Sequence, residues 1–393
     1  MLAGQARAAL GRAFFQNATP ELAPSRRAFA ATTHTCFSWF GKPEPAPAVR
    51  GPITNKTEIM QFNAAFPDVV RDLTETGRHL EVPAATKWFA QVLQYTVPGG
   101  KRNRGLAVVQ AYKYLAQENT AEGLRQAQLM GWAVEMLHAS LSVAQDALDG
   151  AELRRGRASW PVHCGLGLRA VNDAALLETG LYELLKRHFR THPLYVEILE
   201  LFHDVTHKSI MGQVLDIQAR SDATLELFTM ERYQAIVKYK TAYYTFQLPV
   251  ILAMYLAENN DSELHRQAKT ILMEMGQIFQ VQTDFLDCFG DPSTIGHESS
   301  DIETGRCSWL AVVALQRANP AQKKLMQECY GSRDQNKVER VRKLYRELAI
   351  PATYRIYEEQ SYELLCRQIQ QVSKGLPHKL FFRILESTYV RQN

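Results

Sequence analysis

The stretch SLSVAQDALDGAELRR, residues 140–155, decides how this chain folds. Val134, Leu137, Leu141, Ala144 and Leu148 recur at steps of three and four, the spacing that lines one face of a helix. Asp146 and Asp149 close that helix, Gly150 follows, and Arg154 and Arg155 come directly after. A second stretch, QIFQVQTDFLDCFGDP at residues 277–292, repeats the plan with Asp284 and Asp287. Two acid-ended helices facing each other, with basic residues around them, imply a cavity for metal ions and phosphates. Mg2+ takes hard oxygen ligands and is held by one or two carboxylates plus substrate phosphates. Gln145 and Thr283 are neutral where such a site wants another carboxylate, each four residues before Asp149 or Asp287.

Outward from these stretches the helical period continues. It is legible over residues 107–118, 123–142, 173–190, 194–220, 230–258, 262–288, 309–318, 335–348 and 350–371. Alternating β-branched runs bounded by turns are hard to find. The expected fold is all-α, a single large bundle of long antiparallel helices around a central cavity, over residues 53–393. Gly165, Gly167 and Ala170 match a dinucleotide fingerprint, but no strand precedes them, so they read as a loop entering a helix. The longest apolar run, residues 241–257, contains Gln247 and Pro249 and stops at Glu258; it reads as a buried core helix and no transmembrane segment is expected.

Composition narrows the function. The first 50 residues hold six basic and two acidic residues, and the rest is balanced at 39 of each. That neutral body excludes nucleic acid as a partner recognised through bulk charge. Residues 1–40 are Arg-containing and acid-poor, the pattern of a mitochondrial transit peptide or else of a disordered cytosolic leader. The location is therefore mitochondrial if the leader is a transit peptide, otherwise cytoplasmic. Residues 41–52 form a Pro-rich linker. Six scattered cysteines without CxxC spacing read as buried reduced thiols.

Phosphate donors appear at intervals. GGKRNRG, residues 99–105, gathers Gly100, Lys101 and Arg104 in one turn, where glycine lets backbone N–H groups approach an anion and Arg grips phosphate oxygens. Lys240 and Thr241 lie in an apolar helix, where an ammonium needs an anionic partner.

These blocks together resemble the trans-isoprenyl diphosphate synthases, in particular the eukaryotic farnesyl-forming branch with an atypical, insect-like motif set. GGKRNRG, QDALDGAELRRGRASW, KYKTAYYTFQLP and GQIFQVQTDFLDCFGDP with DIETGRCSW occur in order after the linker. The resemblance implies an all-helical dimer in which Mg2+, with Mn2+ as the alternative, holds an allylic diphosphate and helps it leave. The double bond of isopentenyl diphosphate then attacks the resulting cation. It assigns Lys101, Arg104 and Arg155, with Gly100, to isopentenyl diphosphate and Arg154 to the allylic diphosphate. Asp146, Asp149, Asp284, Asp287 and Asp301 are assigned to metal, with Gln145 and Thr283 at altered ligand positions. Lys240, Thr241, Gln280 and Tyr244 line the reacting region. Arg306 stands at a basic position, while His138 and His297 replace substrate-binding Gln and Lys. Ser140 and Leu141 replace bulky aromatics that floor the chain-length pocket.

The expected activity is a prenyltransferase that condenses isopentenyl diphosphate with dimethylallyl or geranyl diphosphate, giving farnesyl diphosphate or a homologue with weakened metal binding. Two alternatives follow from the departures. One is a terpene synthase that ionises without condensing. The other is a low-activity subunit in a heterodimer with a competent paralogue, in place of a homodimer.

Overall fold

A computed structural model describes residues 56–78, 81–222, 224–290, 301–373 and 375–389. The leader, the linker and His297 lie outside these residues. The apolar periods become helices in chain order: α1 (Lys56–Ala64), α2 (Phe66–Arg78), α3 (Pro83–Thr96), α4 (Asn103–Leu115) and α5 (Ala121–Asp149). A two-residue hairpin follows, β1 (Leu153–Arg154) with β2 (Arg157–Ala158), then α6 (Trp160–His163). The Gly165–Ala170 segment enters α7 (Val171–Phe189) through one 3-10 turn, as a loop leading into a helix should. Next come α8 (Tyr195–Arg220), α9 (Met230–Ile236), α10 (Leu248–Leu256) and α11 (Ser262–Phe289). The last are α12 (Trp309–Arg317), α13 (Pro320–Cys329), α14 (Gln335–Glu347), α15 (Ile350–Gln370) and α16 (His378–Tyr389). The all-α bundle expected from the periodicity is the architecture found.

Helix α5 is the axis. Thr120 caps its start by accepting the Gly123 N–H, and Gly150 ends it in the left-handed region at φ 61°. Between them Trp132, Met136 and Leu137 are fully buried, because α4 and α7 pack along the helix. Burying side chains of that size contributes about 1.5–3 kcal/mol each. Cys164, Cys288, Cys307, Cys329 and Cys366 are all free thiols.

The single helix expected over 230–258 is instead three pieces. Between α9 and α10, residues Val237–Gln247 wind as a π-helix. Pro249 has no N–H for the Thr245 carbonyl, so the ladder slips and Leu248 donates five residues back to Tyr243. The wide turn is pressed between α8 and α11. A Cβ on Gly212 of α8 would lie 2.3 Å from the Lys240 nitrogen, and one on Gly276 of α11 would lie 2.4 Å from the Ala242 Cβ. Only glycine permits these approaches, which bring Lys240 and Thr241 against α8 and α11.

Candidate active site

The acidic end of α5 divides its two aspartates between different partners. Asp146, 2 % exposed, turns inward and accepts from Arg154 Nε at 3.0 and 3.1 Å, which ties the hairpin to the helix end. Asp149 accepts from Arg220 Nη1 at 3.0 Å and from the Gln145 amide at 3.3 Å. Gln145 therefore spends its amide as a donor to Asp149.

The end of α11 has the same division. Asp284 is buried and accepts from Gln280 Nε2 at 2.8 Å and from the Trp309 N–H at 2.9 Å, which opens α12. Burial pushes its carboxyl up to about 6, against the pull of those donors. Asp287 accepts the Asp301 N–H at 3.0 Å, and Thr283 donates to the Phe279 carbonyl of its own helix at 2.8 Å. Asp301 is buried; desolvation and the neighbouring Asp287 raise its carboxyl well above the ordinary value.

Cations fill the space between these ends. Lys240 Nζ lies 2.7 Å from Asp216 of α8, the anionic partner its apolar surroundings require. Burial, then Arg306, lowers this ammonium to about 8 even though Asp216 opposes the shift. Arg306 is 3.6 Å from Asp301. Burial works against its charge, yet Asp301, Asp216, Asp149 and Asp287 hold its pKa above the ordinary value. Burial would likewise raise Asp216, but Lys240, Arg306 and Arg220 hold it down. One guanidinium thus feels carboxylates from both acidic helix ends.

A second basic group sits at the GGKRNRG turn. Arg155 and Gly156 carry φ of 57° and 75°, the two-residue hairpin loop of mirror-image type, which swings Arg155 toward the turn. Arg155 donates to the Gly99 carbonyl and lies 3.0 Å from His138 Nε2. A Cβ at Gly100 would come within 2.7 Å of Arg155 Nε, so glycine here makes room for the guanidinium. Arg104 donates to the Tyr244 hydroxyl at 3.0 Å and to Thr245 at 3.1 Å, and stacks over the Tyr244 ring. Glu135 of α5, 2 % exposed, accepts the Gly105 N–H at 2.8 Å and anchors the turn. Burial, then Arg104, Arg155 and Arg154, hold the His138 imidazole neutral, well below its usual pKa.

Thr241 donates to Gln280 Oε1 at 2.9 Å, and Gln280 in turn reaches Asp284, so the π-helical segment is wired to the buried acid of α11. Ser140 is buried and Leu141 half-buried on α5. Asp216, Arg220 and Glu135 were not expected from the sequence. Glu135 interrupts an apolar run, and Asp216 lies four residues from both Gly212 and Arg220, but neither feature says which helix the charge meets.

Among the described residues, no three His, Cys, Asp or Glu side chains form a ready metal cage. The donor set still fits a hard divalent cation. Asp149, Asp216, Asp287 and Asp301 offer oxygens, and such a cation completes its shell with water and substrate phosphates.

A helical bundle with acids at two facing helix ends, an internal ammonium between them and a separate arginine-glycine turn defines a synthase that handles diphosphates. The polyprenyl synthetase family model matches residues 86–348. The farnesyl pyrophosphate synthase of Nezara viridula is 45 % identical over 347 residues, covering 88 % of this chain and 85 % of that one. The human farnesyl pyrophosphate synthase is 42 % identical over 340 residues, covering 85 % and 81 %. Among solved structures, T. brucei farnesyl diphosphate synthase complexed with risedronate superposes with a TM-score of 0.77 at 29 % identity, over 85 % of this chain and 98 % of that one. The chain belongs to the polyprenyl synthetase family. It is a prenyltransferase, and the family binds isopentenyl and allylic diphosphates with the help of divalent metal ions.

Proposed function

We propose that this enzyme condenses isopentenyl diphosphate with dimethylallyl or geranyl diphosphate to give farnesyl diphosphate or a homologue, with Mg2+ as its ion. The observation that carries the reading is the second basic group, where Arg155 reaches the Gly99 carbonyl and lies against Gly100, Arg104 bonds Tyr244, and Lys101 follows in the same turn. Only a condensing enzyme needs two diphosphate sites.

In this reading Arg155 and Arg104 orient isopentenyl diphosphate, and neutral His138 adds a hydrogen-bonding edge without further charge. Lys240 and Arg306 face the allylic diphosphate, and Thr241 with Gln280 present oxygens toward the reacting carbons. A divalent ion, when bound, stabilises charge developing on the leaving diphosphate. The buried walls around the site exclude water from the reactive allylic cation.

One observation favours weak activity and partnership with a paralogue. The Gln145 amide N–H and the Thr283 hydroxyl hydrogen are used within their own helices, neither residue brings a negative charge, and Asp149 is already paired with Arg220. We propose a dimer, supported by Ile210, Val214 and Ile217, an exposed apolar stripe at helical spacing on α8. The Arg-rich, acid-poor leader supports mitochondrial import, which a fusion of residues 1–52 to a fluorescent protein would test by its location.

The activity test incubates purified protein with Mg2+ and geranyl diphosphate, with and without isopentenyl diphosphate, alone and mixed with an active synthase. Condensation product only when isopentenyl diphosphate is present is expected. Hydrocarbon formed without it would overturn the condensing reading, and product altered only in the mixture would establish the partner reading.

A further inference from the structure

Arg220 is the last residue of α8, and its position is unusual for a surface-type side chain. Its guanidinium is only 13 % exposed and bridges two acids: Nη1 to Asp149 at 3.0 Å and Nη2 to Asp216 at 3.3 Å. Its Nε is sealed from solvent and has no hydrogen-bond partner. A guanidinium carries five N–H donors in a rigid fork that matches phosphate oxygens, and each Nη here carries a second N–H beyond the one aimed at Asp149 or Asp216.

The charge balance of the cleft says what that guanidinium is for. Gln145 and Thr283 each withhold one negative charge relative to an aspartate at the same place, and Arg220 adds one positive charge. The cleft is therefore three charges more positive than one with aspartates at 145 and 283 and a neutral residue at 220. Divalent ions in such a cleft serve to neutralise the diphosphate against the carboxylates. Here part of that neutralisation is built into the chain.

We propose that Arg220 is a diphosphate-binding residue that supplies, as a fixed guanidinium, part of the positive charge a metal ion would otherwise bring to the end of α5. It acts beside Lys240 and Arg306, which share the carboxylates Asp216 and Asp149 with it. The neutral residues at 145 and 283 and the arginine at 220 then act in one direction, protein charge standing in for metal charge. This inference rests on the reading of the acidic cleft as a diphosphate site.

The test is calorimetric titration of inorganic diphosphate into the full chain, with EDTA and then with rising Mg2+. It is run in a Lys101→Ala, Arg104→Ala, Arg155→Ala background so that the other basic group does not contribute. In EDTA the Arg220-containing protein binds diphosphate, and Arg220→Ala weakens this about tenfold or more, as loss of a charge-assisted contact does. Arg220→Lys recovers most of the affinity, and the Mg2+ needed for half-maximal diphosphate binding rises several-fold in Arg220→Ala. Unchanged diphosphate affinity in EDTA for a folded Arg220→Ala protein would overturn the proposal. So would a fall in the Mg2+ requirement, which would make Arg220 a plug that competes with the metal. Condensation measured in parallel separates the readings: product formation with no effect of Arg220→Ala on binding refutes only the role of Arg220. An Arg220 effect without any condensation refutes only the condensing activity.

Discussion

At the scale of single residues, the chemistry depends on whether a side chain faces its own helix or the cleft. Thr283 donates to Phe279 within α11, and the Gln145 amide leans on Asp149, so neither adds an anionic oxygen for a cation. Restoring the charge with Gln145→Asp and Thr283→Asp together is expected to lower the Mg2+ concentration for half-maximal activity by roughly tenfold, because ligand charge tunes affinity at oxygen sites. A Mg2+ titration of initial rates reads this directly. His138 offers a pH test. Its imidazole is held below the ordinary pKa by burial and by Arg104, Arg155 and Arg154, so the unfolded chain binds the proton more readily. The stability from keeping it neutral is full above the unfolded value near 6.5 and is lost as pH falls below it toward the folded pKa. Urea midpoints at pH 7.5 and 5.5 should therefore differ less in His138→Gln than in the unaltered protein. The order GGKRNRG, then acids, then arginines was readable at this scale, because motif spacing survives in one dimension. Glu135, Asp216 and Arg220 were not readable, since a lone charge in an apolar run looks the same whether it meets solvent or a partner on another helix.

At the scale of elements, the sequence period gave the helices but not their interruptions. Boundaries of α7, α8, α11 and α15 agree with the periodic runs within about two residues, the usual scatter at helix ends. The run over 230–258 does not, because the period cannot report the slip that Pro249 forces into the π-helical turn. The hairpin at Leu153–Ala158 is likewise too short for alternation to mark it. Asp284 belongs to this scale as well as to the site, since it fastens the first N–H of α12 to α11 through a buried carboxylate. Asp284→Ala strips a charged acceptor from the Trp309 N–H and the Gln280 amide and leaves them unsatisfied. A loss of about 2–3 kcal/mol in unfolding free energy is expected, measured by urea denaturation in EDTA so that no metal contributes. A residue needed only to hold metal would leave the metal-free protein unchanged.

At the scale of the whole molecule, the bundle closes its core around α5 yet leaves one helix face bare. Ile210, Val214 and Ile217 follow one another at four and three residues along α8, exposed by 47, 41 and 37 %, with Met211 beside them at 48 %. The same helix carries Gly212, Asp216 and Arg220 on the side that meets Lys240 and Asp149. An α-helix with one face against the site and another apolar face open is held in place from one side only. Covering the open face with a second subunit would fix the axial and rotational position of Asp216 and Arg220, so association and diphosphate binding should be linked. Ile210→Asp with Val214→Asp places two like charges one turn apart on that stripe without touching the buried side of α8. Light scattering should then show the 44.6 kDa monomer in place of a particle of twice the mass. Diphosphate affinity should fall with the loss of association while far-ultraviolet circular dichroism keeps its helical signal. If the doubly substituted chain still sediments as the larger particle, the stripe is not the contact face, and the linkage between assembly and the cleft fails with it.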